Sequence, residues 1–93
     1  MKLNLQQMLV LSTVARLKSR RSSIATEACR IFAGQLFDER VALNTLDGLV
    51  ELKLALRDNE TATVEISPRG ITLLSQEAGL LQQISTYVQD GVR

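Results

Sequence analysis

Residues 64–74 have the sequence VEISPRGITLL, in which the period of a strand changes directly into the period of a helix. Val64 and Ile66 alternate with a polar residue, which is typical of a strand with one buried face. Ser67 is a favourable helix N-cap, and Pro68 suits the first helical position, where its missing N–H costs nothing. The stretch therefore predicts a strand followed at once by a helix.

The helix that starts at Pro68 is predicted to be long, at about 68–90, because apolar residues recur through this range at spacings of three and four. At a rise of 1.5 Å per residue, it would be about 34 Å long. It carries two adjacent apolar stripes, and a chain this small would leave part of them exposed. We therefore expect a homodimer through this helix, assisted by the first helix, with an interface formed by Leu73, Leu74, Leu80, Leu81, Ile84, Tyr87 and Val88.

Two shorter helices are predicted in the first third of the chain. Asn4 and Gln7 have the spacing of a capping box at the start of the first helix, which is placed at about 5–18. Residues 19–23, SRRSS, are predicted to form a polar loop whose last serines cap a second helix at about 24–33. Apolar residues at helical spacing give each of these helices a buried face.

A third helix and a β-hairpin are predicted in the middle of the chain. Asp38 is a favourable N-cap for the helix, which carries a buried apolar stripe and ends near Leu52. Residues 54–57 and 61–66 have the composition of strands, and residues 58–60, DNE, supply turn chemistry between them. The chain is therefore predicted to be mainly helical with a small β-hairpin.

The composition limits the chemistry that the chain can perform. Its 93 residues include no His and one Cys, Cys29, which excludes His-based acid–base catalysis, zinc sites of the common Cys/His kind and disulfides within the chain. We expect no enzyme activity, no metal and no cofactor, and we interpret Cys29 as a small core residue. No apolar run reaches the ~18–20 residues that span a bilayer, so we expect a cytoplasmic protein with a single domain over residues 1–93.

Charge is unevenly distributed, although the net charge is only +1. Residues 1–31 contain six Lys or Arg and one acid, whereas residues 32–67 contain seven acids and three Lys or Arg. Such an asymmetry is typical of a nucleic-acid-binding face, or of two complementary sides of an oligomer. The charge pattern alone leaves both interpretations open.

The order helix, helix, helix, hairpin, helix resembles the winged helix-turn-helix domain. Residues 46–56, LDGLVELKLAL, are similar to the end of a recognition helix that runs into the first wing strand. VEISPRGITLL is similar to the second wing strand and following helix of MarR-like and PadR-like transcriptional regulators. The resemblance covers about residues 5–75. It implies a winged helix with a long C-terminal dimerisation helix, and a dimeric DNA-binding regulator whose third helix lies in the major groove.

Six residues are candidates for contacts to DNA under this resemblance. The four arginines of the polar loop, the third helix and the wing would bind phosphates, while Asn44 and Thr45 of the third helix would lie nearest the base edges. The full set is Arg20, Arg21, Arg40, Asn44, Thr45 and Arg57.

Departures from the family pattern favour a second hypothesis. Lys53 stands where the family usually has Gly, and the wing tip at residues 58–60 is acidic where DNA-binding wings are commonly basic. The third helix also carries acids, namely Asp38, Glu39, Asp47 and Glu51. Acids oppose DNA binding, because duplex affinity comes largely from Lys and Arg at phosphates. The alternative is a winged-helix protein-interaction module whose acidic third helix and wing contact a protein partner and which does not bind DNA.

Overall fold

The computed structural model describes residues 2–32 and 38–76. Within these ranges the chain forms four α-helices and three short β-strands. The helices are α1 Leu5–Arg16, α2 Arg21–Ile31, α3 Glu39–Glu51 and α4 Pro68–Gln76, and the strands are β1 Ser19–Arg20, β2 Ala55–Asp58 and β3 Thr63–Ile66. The prediction of a mainly helical chain with a small β-hairpin is confirmed, and β1 adds a third strand to the hairpin.

The starts of α1 and α3 follow from their local sequences. The Asn4 side chain accepts the Gln7 N–H at 2.8 Å, and the Gln7 side chain accepts the Asn4 N–H at 2.9 Å. This reciprocal pair is the capping box that the sequence predicted. The Asp38 carboxylate accepts the Val41 N–H at 2.9 Å, as predicted for the start of α3.

The segment between α1 and α2 differs from its prediction. The two residues Ser19–Arg20 pair antiparallel with Val64 and Thr63 of β3, so the polar loop predicted over residues 19–23 is wrong. The helix α2 begins at Arg21, earlier than predicted, and no side chain caps it. Ser19 and Arg20 adopt a strand conformation because they pair with β3, which is distant in the sequence. This pairing satisfies backbone groups that a loop would leave to water.

The sheet has the strand order β1-β3-β2, and β3 pairs antiparallel with both neighbours. Residues paired directly across strands point to the same face, and successive residues point to opposite faces. Arg57 therefore shares a face with the buried Val64, whereas Arg20 and Asp58 flank Thr63 on the other face. Two of the arginines predicted near DNA thus leave the sheet on opposite sides.

One hydrophobic core joins the helices to the sheet. Leu73 and Leu74, both predicted at a dimer interface, are each 8% exposed and belong to this core within one chain. The part of the predicted fourth helix beyond Gln76 lies outside the described residues. The same holds for the other predicted interface residues, Leu80, Leu81, Ile84, Tyr87 and Val88.

Ser67 joins the start of α4 to the chain between α3 and β2. Its hydroxyl donates to the Lys53 carbonyl at 2.6 Å and accepts the Gly70 N–H at 3.0 Å, so the predicted N-cap is confirmed. Its backbone N–H donates to the Leu54 carbonyl at 3.0 Å. Because Ser67 is buried, these three hydrogen bonds replace the contacts that its polar groups would make with water.

Lys53 follows α3 in a left-handed conformation, with a φ of 63°. The Lys53 N–H donates to the Val50 carbonyl and the Leu54 N–H to the Leu49 carbonyl, both at 3.0 Å, which closes the end of the helix. Glycine adopts this backbone conformation at the lowest cost. Lys53 therefore differs in side chain from the Gly that the resemblance leads us to expect, while its backbone has the conformation that favours Gly.

Gly70 allows a close approach between α4 and the chain that follows α3. A Cβ at this position would lie 2.2 Å from the Leu54 carbonyl oxygen and 2.8 Å from Ile66 Cγ1. A Cβ at Gly48 in α3 would instead meet nothing within 4 Å. Packing therefore explains the glycine in α4 and does not explain the one in α3.

We expect Gly70→Ala to lower the free energy of unfolding by about 1–3 kcal/mol, because the added methyl group forces α4 away from Leu54. Gly48→Ala is the matched control and should raise the free energy of unfolding by about 0.5–1 kcal/mol, since alanine favours the helix and meets no neighbour. Urea denaturation followed by circular dichroism measures both. Equal shifts in the two variants would contradict the packing role of Gly70.

Candidate nucleic-acid interface

The helix α3 turns a polar face away from the core. The side chains of this face recur at spacings of four and three, and they are Arg40, Asn44, Asp47 and Glu51. Asp47 is half-buried and the other three are exposed. The opposite side of α3 is buried through Ala42, Leu46 and Leu49, so packing against the core fixes which side chains point outward.

An ion pair connects this face to the start of α2. Arg21 Nε donates to Asp47 Oδ1 and Arg21 Nη2 donates to Asp47 Oδ2, each at 2.6 Å. The guanidinium and carboxylate thus meet through two parallel hydrogen bonds, the strongest geometry for such a pair. The Arg21 side chain is 39% exposed and that of Asp47 is 48% exposed, so the pair lies at the surface.

The ion pair shifts the titration of both partners. The hydrogen bond from Arg21 holds the pKa of Asp47 below its ordinary value, and the positive charges of Arg21 and Arg57 act in the same direction against partial burial. The same hydrogen bond raises the pKa of Arg21. The pair is therefore fully ionised at neutral pH.

An open concavity lies between α3, the start of α2 and the sheet. Its lining comprises Arg21, Leu46, Asp47, Val50, Glu51, Arg57 and Val64. Two arginines and two carboxylates in this lining surround apolar side chains, and Arg57 reaches the concavity because it shares a sheet face with Val64. The surface is accordingly mixed in charge rather than uniformly basic.

The structure brings together four of the six predicted DNA contacts. Arg40 and Asn44 lie on the exposed face of α3, and Arg21 and Arg57 line the adjoining concavity. The other two, Arg20 and Thr45, lie to the side. Arg20 projects from the far face of the sheet, and Thr45 is half-buried one position further around α3 than Asn44.

Three acids in the middle of the chain have donors within the protein, and the sequence predicted the turn role of Asp58 but neither of the two ion pairs. Asp47 binds Arg21, Glu65 Oε2 lies 3.3 Å from Lys18 Nζ, and Asp58 accepts the Glu60 N–H at 2.9 Å within the hairpin turn. The hydrogen bond from Glu60 lowers the pKa of Asp58. No local sequence signal gives the first pair, whose members lie 26 residues apart. Among residues 2–32 and 38–76, Glu51 makes no ion pair.

Within residues 2–32 and 38–76, no three His, Cys, Asp or Glu side chains come together as ligands for a metal ion. None of the described helices combines the length and the apolar composition needed to cross a membrane. Comparison with known proteins adds no further assignment: no protein-family model, curated protein or solved structure matches the chain.

We expect Asp47→Asn to lower the free energy of unfolding at neutral pH by at most about 1 kcal/mol, because a pair this exposed is screened by water. The pKa of Asp47 is depressed in the folded state, so its contribution is fully present above the unfolded value of about 3.9. This contribution to the free energy of unfolding is lost as the pH falls through the lower pKa that Asp47 has in the folded state. Denaturation of wild type and variant across this range should therefore give stabilities that converge in acid.

Glu51→Gln is the control for this titration. Glu51 lies on the same face of α3 and makes no ion pair within the described residues. Its variant removes one negative charge without breaking an ion pair, and convergence in acid that is equally large for both variants would argue against the Arg21–Asp47 pair as the cause.

Proposed function

We propose that the chain is a winged-helix protein that binds double-stranded DNA as a homodimer and regulates transcription. The observation that carries this proposal is the outward polar face of α3, which adjoins both the start of α2 and the β2–β3 hairpin. The order of three helices, a hairpin and a further helix supports it, since the resemblance to winged helices depends on that order.

Four of the six candidate residues lie where their chemistry suits contact with DNA. Asn44 and Arg40 are exposed on α3, where Asn binds adenine and Arg binds guanine through two hydrogen bonds at the major-groove edge. Arg57, at the edge of the concavity, is assigned to a phosphate. Arg21 lines the same concavity and is also assigned to a phosphate, whereas Arg20 on the far face of the sheet and the half-buried Thr45 are assigned no contact with this duplex.

We expect Arg57→Ala to weaken binding to all duplex sequences alike and to flatten the plot of log affinity against log salt by about 0.9, the share of one phosphate contact. Asn44→Ala should instead reduce the preference between sequences and leave the salt slope unchanged, because it removes a base contact. Titrations of labelled duplex at several salt concentrations measure both effects.

Arg30→Ala is the matched control for these titrations. Arg30 lies at the other end of α2 from Arg21 and is paired with Glu27, so its loss should change neither affinity nor slope. If Arg30→Ala and Arg57→Ala weaken duplex binding equally, the affinity depends only on the net charge of the protein, and the proposed surface is wrong.

A protein-interaction module is the second candidate function. It is favoured by the exposed carboxylate of Glu51 on α3 and by the acidic hairpin turn at residues 58–60. These groups repel phosphates and suit a basic protein surface. If wild type binds no duplex at low salt, where the attraction between cations and phosphates is greatest, this candidate becomes the better account.

The proposed homodimer rests on the apolar pattern of residues 77–88, together with exposed apolar side chains at Leu5 and Ile71. We expect Leu81→Glu to yield monomers, since placing a charge in an apolar interface is strongly unfavourable. Gln82→Glu adds the same charge beside it at a polar position and should leave the dimer intact. Sedimentation measures both, and a wild-type protein that is monomeric at high micromolar concentration would contradict the proposal.

A further inference from the structure

The Arg21–Asp47 pair has a consequence for how α3 would meet DNA. Arg21 is placed beside the polar face of α3, but two of its donors already bind the Asp47 carboxylate at 2.6 Å. A phosphate would use the same planar fork of donors, because carboxylate and phosphate bind a guanidinium in the same way. The intramolecular carboxylate therefore competes with the DNA backbone for Arg21.

Releasing Arg21 to a phosphate leaves the Asp47 carboxylate facing DNA without its partner. That arrangement is unfavourable unless another donor replaces the guanidinium. Every base pair carries one amino donor at its major-groove edge, on adenine or cytosine, while the base on the other strand presents an acceptor oxygen, O4 of thymine or O6 of guanine. Sequence therefore determines whether an amino group or an acceptor oxygen stands opposite Asp47. Asp47 lies on the exposed face of α3 between Asn44 and Glu51, where such an amino group would approach.

We propose that Asp47 is a specificity-determining residue that withholds Arg21 from phosphates unless a cytosine or adenine amino group, rather than a guanine or thymine oxygen, stands opposite its carboxylate. This inference rests on the proposed DNA-binding function. Where guanine or thymine stands opposite Asp47, Arg21 stays paired with Asp47 and adds nothing to phosphate binding. On a site with the amino donor in place, Asp47 exchanges partners and Arg21 binds the backbone.

The two acids on the face of α3 allow a controlled test. Asp47→Asn removes one negative charge and frees Arg21, whereas Glu51→Gln removes one negative charge and frees no arginine. On a random-sequence duplex, Asp47→Asn should bind about two- to fivefold more tightly than Glu51→Gln, the factor by which an exposed ion pair restrains its partner. Its salt slope should be steeper by up to about 0.9, because a phosphate contact is gained wherever the wild type keeps Arg21 paired.

The dependence on Arg21 separates this mechanism from a simple change in charge. In an Arg21→Ala background, Asp47→Asn should lose its advantage over Glu51→Gln in both affinity and slope. Duplexes selected from a random pool should show a cytosine or adenine preference with wild type that weakens with Asp47→Asn. In the free protein, the NMR signal of the Arg21 Nε–H should shift in Asp47→Asn and not in Glu51→Gln.

Each outcome of this experiment decides one question. If wild type binds DNA and Asp47→Asn behaves like Glu51→Gln, the inference is wrong and the proposed function stands. If no variant binds duplex at low salt, the proposed function fails and the inference fails with it. Binding by Asp47→Asn with none by wild type would support the withholding of Arg21 directly.

Discussion

The packing of α4 against the chain that leaves α3 is the constraint on which the other elements depend. Ser67 donates from its hydroxyl and its backbone to the carbonyls of Lys53 and Leu54, and Gly70 lets the first turn of α4 approach the second of these carbonyls. Both carbonyls lie between α3 and β2. A buried cluster of hydrogen bonds thus fixes the end of one helix, the start of another and the start of a strand together.

The position of the candidate interface follows from that junction. Leu54 and Ala55 are buried directly after α3, and Arg57 follows on the sheet face that carries Val64. Because β3 pairs with β1 as well as with β2, the same sheet also holds the segment from which α2 begins, where Arg21 meets Asp47 on α3. The charged groups of the concavity therefore come from three separate elements that share one sheet and one core.

The features that depend on residues close together in the sequence could be predicted from it. The features that depend on contacts between distant residues could not. The capping box at Asn4 and the caps at Asp38 and Ser67 each involve residues three positions apart, so the sequence contains the whole interaction. The strand β1 has only two residues and exists because β3 lies beside it, and Arg21 finds Asp47 only after α2 and α3 have packed. The sequence therefore predicts helix starts where a side chain caps them, but it predicts neither the strand Ser19–Arg20 nor the uncapped start of α2 at Arg21.

Contacts within the protein also change how strongly the acids in the middle of the chain oppose DNA binding. Counted along the sequence, they oppose DNA binding, but Asp47, Asp58 and Glu65 each bind a donor within the protein. These acids consequently repel phosphates less than the number of acids in the sequence implies. The attraction of phosphates is reduced as well, because Arg21 and Lys18 are engaged in ion pairs with Asp47 and Glu65. A nearly neutral surface of this kind gives one domain little non-specific affinity. Two such surfaces related by a two-fold axis would add their contacts on neighbouring half-sites, so the proposed homodimer is the form in which this weak surface could bind a duplex selectively.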